Sequence, residues 1–112
     1  MDNRTLNAAM IEAIVLSIIA RSPSYGYEII KRVGDMTDGA IEWAAGSLYP
    51  VLHRMEMNGH IESFWHQPEG ERKRKYYRIT DDGQKALERE KREWSTVERL
   101  VHELWRPSPA AD

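Results

Sequence analysis

A proline stands inside a run that otherwise has helical spacing, and that conflict restricts what this chain can fold into. In Gly46-Ser47-Leu48-Tyr49-Pro50-Val51-Leu52-His53-Arg54-Met55-Glu56, the apolar residues Leu48, Val51, Leu52 and Met55 recur at i, i+3, i+4 and i+7, one face of a 3.6-residue period. Proline lacks an amide hydrogen, and its ring collides with the carbonyl four residues back. The helix must therefore begin just before Pro50. Gly46 and Ser47 supply that start, because the first amides of a helix have no partner within it and a serine or glycine can cap there. Asn58-Gly59 supplies the stop. The product is a short amphipathic helix whose other faces carry Ser47, Tyr49, His53 and Arg54.

The rest of the chain is too short to do much besides support it. At 112 residues there is room for one compact domain and an appendage, with an apolar fraction of 41% for a modest core. Cysteine is absent, which excludes disulfides, thiolate zinc sites and cysteine nucleophiles. That composition suits the cytoplasm. Ile14 to Ala20 is apolar but too short to cross a bilayer and lacks a cleavage pattern, so neither a signal peptide nor a membrane partner is expected. The net charge of −2 gives no hint of nucleic acid, but it averages over local clusters.

Residues 1–4 are polar and are expected to fray. Thr5 is placed to cap a first helix running to about Arg21. Its apolar residues include Leu6, Met10, Ala13, Ile14 and Ile18 in one stripe and Ile11, Val15, Leu16 and Ile19 in others. A helix apolar nearly all round is buried on more than one side, either as a central core helix or with one face against a partner. Ser24 is expected to cap a second helix, with Tyr27, Ile30 and Val33 on its apolar side and Gly26 allowing close packing on the first helix. That helix ends near Asp38-Gly39, and Ala40 to Trp43 form an extended link. After Gly59 the period changes to two. Ile61 to His66 and Lys75 to Thr80 read as the strands of a two-stranded hairpin, with a loop too long for a tight turn. Tyr77 and Ile79 share one face of the second strand; Tyr76 and Arg78 share the other. Thr80-Asp81-Asp82-Gly83 opens a last helix that runs to about Trp105, where Pro107 stops it. Leu87, Trp94 and Val101 are seven apart, as are Glu90, Val97 and Leu104. That is a heptad seam with one charged position, widened by Leu100 and Trp105. Roughly 25 residues of helix span about 37 Å, longer than the domain before it.

Three helices followed by a hairpin with a basic tip make a winged helix-turn-helix, mostly α with one small β-hairpin. Residues 1–80 form the DNA-binding domain, and residues 81–112 a dimerisation helix and tail. The short helix at residues 46–57 enters the major groove of duplex DNA. The tip carries Arg72, Lys73, Arg74 and Lys75 in succession, followed by Tyr76, and a compact cationic finger gains by displacing counterions from DNA. Ser47 and Tyr49 sit where hydroxyls suit phosphates or base edges, although Tyr49 equally suits packing within the domain. Arg54 suits a phosphate or guanine, and His53 either a contact or plain surface. Lys31 and Arg32, on the second helix, are phosphate candidates.

The chain resembles the PadR family of transcriptional regulators. The resemblance is carried by Ser24-Tyr25-Gly26-Tyr27-Glu28-Ile29-Ile30, by Gly46 to Glu56, by Gly59-His60-Ile61-Glu62-Ser63, by Arg74 to Thr80, and by Gly83 with Ala86-Leu87. It spans roughly residues 10–88, and the motifs follow in order and spacing. It implies a bacterial or archaeal homodimeric DNA-binding regulator, usually a repressor, with binding commonly relieved by a small molecule or another signal; two recognition helices about 34 Å apart would read a palindromic operator. The single C-terminal helix is similar to that of the smaller subfamily, in which this helix packs on the partner subunit and its first helix. For this chain that points to Met10, Ile14, Leu87, Glu90, Trp94, Val97, Val101 and Leu104. Some relatives of this size bind planar, often cationic drugs between tryptophans at the dimer interface. Trp94 is the matching position, with Glu90 a turn away; it serves either an aromatic or cationic effector or the dimer core alone.

Two other function classes are weighed against this. A winged helix used only for protein interaction is the alternative, opposed by the basic wing and the polar side of the third helix. An enzyme is opposed by the absence of a phosphate loop, a nucleophile elbow or a carboxylate pair. His53, His60, His66 and His102 lack ligand spacing, so neither metal nor cofactor is expected.

Overall fold

The computed structural model describes residues 7–108. The elements in order are α1 (Ala8–Arg21), β1 (Ser24–Tyr25), α2 (Gly26–Met36), α3 (Ala45–Met57), β2 (Ile61–His66), β3 (Arg74–Ile79) and α4 (Asp81–Trp105). Residues 1–4, Thr5 and Leu6 lie outside the described residues. Asn7 caps α1, its side-chain oxygen accepting from the Met10 amide at 2.9 Å. The breadth of the apolar surface on α1 has a direct cause: the helix packs on α3, β3 and α4. Ile11, Val15, Leu16, Ile18 and Ile19 are buried there.

The sheet has three strands in the order β1-β3-β2, not two. Ser24 and Tyr25 pair antiparallel with Tyr77 and Tyr76. This displaces the expected cap of α2. Ser24 is held in the strand, Tyr25 takes the N-cap position without a side-chain cap bond, and the Ser24 hydroxyl donates to Glu28 in the first turn. Two residues after a proline have too little pattern to read as a strand; their pairing comes from β3.

Helix α3 starts one to two residues earlier than Gly46-Ser47. Ala44 is its N-cap and offers no side-chain bond; its carbonyl accepts from the Ser47 and Leu48 amides at 3.0 and 3.1 Å. Pro50 thus sits in the second turn, where the missing bond is the one to the Gly46 carbonyl. Gly46 is solvent-exposed, so water can take that carbonyl. Leu48, Val51, Leu52 and Met55 are all buried, as their spacing requires.

The hairpin register pairs Ile61 with Ile79, Ser63 with Tyr77 and Trp65 with Lys75. Ile61, Ser63, Trp65, Lys75, Tyr77 and Ile79 therefore share the face that looks toward the helices. Ser63 donates to Glu56 of α3 at 2.6 Å. The opposite face carries Phe64, His66 and Tyr76 with Tyr25, whose rings meet at 5.0–5.8 Å between Tyr76 and its neighbours.

Helix α4 is clamped at its start. The Thr80 hydroxyl accepts from the Gly83 amide and donates to the Gly59 carbonyl, while the Thr80 amide donates to the His60 carbonyl at 3.1 Å. Gly83 lies so close to the chain entering β2 that a Cβ there would fall 2.0 Å from the His60 carbonyl oxygen. Ala86 and Leu87 complete the buried first turns. Leu87, expected in the seam, is buried in its own domain. Beyond it the helix leaves the core, and every residue from 91 to 100 is exposed.

Candidate nucleic-acid interface

Helices α2 and α3 meet at a glycine. A Cβ on Gly26 would lie 2.5 Å from the Tyr49 hydroxyl oxygen, so the phenol occupies the space a side chain would need. The neighbour that takes advantage of Gly26 is thus α3, not α1. Tyr27 stands edge-on to Tyr49 with ring centroids 6.3 Å apart. Burial, with Tyr27 adding, pushes the Tyr49 phenol above its ordinary pKa. Tyr49 both packs and remains 39% exposed, whereas Tyr27 is 62% exposed. Spacing alone groups Tyr27 with the apolar side of α2. The buried line runs instead through Gly26, Ile29 and Val33, and Tyr27 falls one position off it.

Around this pair the outward side of α3 presents Ser47, Pro50 and His53. Arg54 turns toward α1, its Nε 3.4 Å from a Glu12 carboxylate oxygen. The two cations of α2 diverge. Lys31 pairs with Asp35 at 2.9 Å, and that hydrogen bond holds its ammonium above the usual lysine range. Arg32 lines a groove between α1, α2 and α4.

The basic run divides in the same way. Arg72, Lys73 and Lys75 are exposed, with Lys73 over the Trp65 ring at 5.7 Å and Lys75 over Tyr77 at 5.7 Å. Arg74 is half-buried inside the strand, its guanidinium 4.5 Å from the Tyr25 ring centre and 3.1 Å from Glu71. Tyr76 sits in the aromatic cluster on the outer face, half-buried. Trp65, Tyr25 and Arg78 are not among the residues that sequence pattern singles out as DNA contacts. Arg78 pairs with Glu62 at 2.8 Å and covers Phe64. The period-two pattern assigns Trp65 and Arg78 to opposite faces, but it does not say where the core stops along the strand.

The second group gathers on the far side of α1. A groove of about 660 Å³ is lined by Ile14, Ile18, Arg32, Leu87, Glu90 and Trp94, among others. Met10 packs on the core with Ile14. Trp94, Val97, Leu100, Leu104 and Trp105 are exposed along α4, and Val101 is half-buried beside them. Among the described residues, no helix is long and apolar enough to cross a membrane. No group of three His, Asp or Glu among them stands where it could hold a metal ion.

The transcriptional regulator PadR-like family matches residues 15–89, two thirds of the chain. The chain belongs to the PadR-like family. PadR-like proteins are transcriptional regulators, not enzymes. A PadR-like transcriptional regulator from Bacillus cereus is 34% identical, with a TM-score of 0.79 over 88% of this chain and 93% of that one. A transcriptional regulator from Clostridium thermocellum is 31% identical, with a TM-score of 0.76 over 88% and 95%. An uncharacterised protein of Lysinibacillus sphaericus is 32% identical over 91 residues, 81% of this chain and 84% of its own. The transcriptional regulator YqjI of Escherichia coli is 27% identical over 88 residues, and the match spans 41% of that longer protein. The PadR-like match ends at residue 89, so it includes the clamp of α4 but not the exposed seam.

The Gly26–Tyr49 contact is open to a double-mutant cycle. Gly26→Ala should destabilise the protein by about 1–3 kcal/mol, the usual cost of overpacking. In a Tyr49→Ala background that cost should disappear, because the phenol no longer occupies the space. Urea unfolding of the four proteins measures both. An equal cost in the two backgrounds would mean that the phenol is not what occupies the space.

Proposed function

We propose that this PadR-like regulator is a homodimer that binds a palindromic operator in duplex DNA and represses transcription until a small molecule releases it. The observation that carries the DNA-binding part is one of placement. The exposed side of α3, with Ser47, Tyr49 and His53, and the exposed cations Arg72, Lys73 and Lys75 lie on a helix and on the hairpin that packs against it, tied by the Ser63–Glu56 bond. A helix of this kind fits the major groove, and a cationic hairpin beside it meets the neighbouring backbone. Lys31 and Arg54 sit at the margins of this surface and contact phosphates after exchanging their carboxylate partners. Arg32 faces away and contributes least. Arg74 and Tyr76 brace the wing more than they touch DNA. Such a partner implies that the protein works in the cytoplasm.

The dimer reading is supported by α4. Trp94, Val97, Leu100, Leu104 and Trp105 leave a long apolar stripe open to water. Burying what these five side chains still expose on each of two helices, at about 1.5 kcal/mol for a whole side chain, supplies on the order of 9 kcal/mol. That is comparable to the roughly 4–15 kcal/mol that association costs. Residues 81–112 thus act as the dimerisation unit of the winged helix formed by residues 1–80, with Met10 and Ile14 on the face of α1 that the partner's α4 approaches. Two copies set about one helical turn apart, roughly 34 Å, read the two half-sites.

The effector enters beside Trp94. The groove is of the size that small ligands occupy, about 300–1,000 Å³. It offers the Trp94 indole with the Glu90 carboxylate, among the charges of Arg21, Arg32, Lys91 and Asp35; the indole suits a planar ligand, and Glu90 gives a cationic one its partner. Such a ligand shifts the dimer only by its differential affinity for the DNA-binding and released states.

Two measurements test these statements. Replacing Arg72, Lys73, Arg74 and Lys75 with Ala should weaken binding to the protein's own upstream DNA. It should also flatten the salt dependence, by roughly 0.9 in logarithmic slope for each phosphate that is no longer neutralised; an unchanged slope removes the wing from the interface. Titrating the protein–DNA complex with planar cations should release the wild type at lower concentration than Trp94→Ala. Equal sensitivity excludes Trp94 as the sensor.

A further inference from the structure

One aromatic residue of the wing has no role in the DNA-binding surface described so far. Of the four tryptophans, Trp43 is buried and Trp94 and Trp105 lie along α4. Trp65 is on β2 and is 64% exposed. Its position follows from the register. Ile61 and Ile79 form the rung at the base of the inner face, and Ser63 and Tyr77 form the next. That second rung lies against α3, because Ser63 bonds to Glu56 and Tyr77 is buried. Burial pushes the Tyr77 phenol up, and both Glu56 and Tyr49 add to it, so Tyr77 is within electrostatic reach of two turns of α3. Trp65 and Lys75 form the third rung, about 7 Å farther out at the usual rise per residue. Helix α3 no longer covers the sheet there. The indole therefore lies on the α3 side of the wing, away from the cluster of Tyr25, Phe64, His66 and Tyr76.

Its surroundings are cationic. The Lys73 ammonium is 5.7 Å from the indole centre, Lys75 is the cross-strand neighbour, and Arg72 is exposed at the same tip. An exposed apolar ring with positive charges beside it fits a partner that offers apolar surface between negative charges. The wall of a DNA groove is built that way, with deoxyribose faces between regularly spaced phosphates.

We propose that Trp65 is a DNA contact of the wing: its indole packs on a deoxyribose flanking the segment that α3 reads, while Lys73 and Lys75 meet the adjoining phosphates. This rests on the DNA-binding function proposed above and adds to it an apolar contact outside the recognition helix. Such a contact releases no counterions, so it sets affinity without altering the salt dependence. It also extends the bound site beyond the base pairs that α3 covers.

The test compares wild type, Trp65→Ala and Trp65→Phe on two duplexes over a range of salt. One duplex carries the full upstream site; the other is trimmed to the base pairs beneath α3. On the full site Trp65→Ala should bind roughly tenfold more weakly, the scale of burying part of one large apolar side chain, with an unchanged salt slope. Trp65→Phe should keep most of the affinity, and on the trimmed duplex all three should agree. Unchanged affinity of Trp65→Ala on the full site overturns the proposal. So does a flattened slope, which would mean that the ring only positions Lys73, or an equal loss on both duplexes. A wild type without salt-dependent binding overturns the DNA-binding function itself, and this inference with it.

Discussion

The structure depends on a close approach at Gly83. There the first turn of α4 lies against the backbone that enters β2, with no room for a Cβ beside the His60 carbonyl. Thr80 ties the same point together, capping α4 with its hydroxyl while bonding to Gly59 and His60. Gly59 and His60 are also the residues that follow α3. One small contact region thus joins the end of α3, the start of the wing and the root of α4. Packed elements of this kind move as blocks, since interiors are nearly close-packed and transmit strain. In the regulation proposed above, a rotation of α4 at this root would turn α3 and the wing with it, which would couple the groove at Trp94 to the surface that carries Tyr49 and Lys73.

The charge distribution follows the same division of labour. A net charge of −2 gives the molecule no general attraction for DNA. Many cations are already engaged by carboxylates: Lys31 with Asp35, Arg54 with Glu12, Arg74 with Glu71 and Arg78 with Glu62. Pairs at the protein surface are weak, because water and salt screen them, so they exchange easily when phosphate arrives. Outside these pairs, the wing exposes Arg72, Lys73 and Lys75. The attraction is therefore local and directed, which favours orientation over bulk affinity.

Much of this is legible in the residues, and the exceptions have physical causes. The apolar period of α3, the capped start of α4 at Thr80 and the alternation of β3 appear where the pattern puts them. Local signals misplace what long-range pairing decides. Ser24 has the chemistry of a cap, but β3 recruits it into a strand. Gly26 reads as a site of close packing, which it is, but its neighbour Tyr49 comes from far along the chain, on α3. Leu87 fits the heptad by spacing, yet the clamp at Gly83 draws it into the core and the free seam begins only at Trp94. A run of four cations reads as one finger, whereas strand alternation sends Arg74 to the outer face against Tyr25. Trp65 is visible as part of a strand pattern, but its exposure depends on where α3 ends above the sheet.

We propose that α4 holds two winged helices at a fixed separation on DNA. A hydroxyl-radical footprint of the wild-type protein on its own upstream region, together with the mass of the complex, tests it most directly. Two protomers per complex and two protected segments centred about one helical turn, roughly 34 Å, apart are expected. A single protected segment bound by one protomer would contradict it.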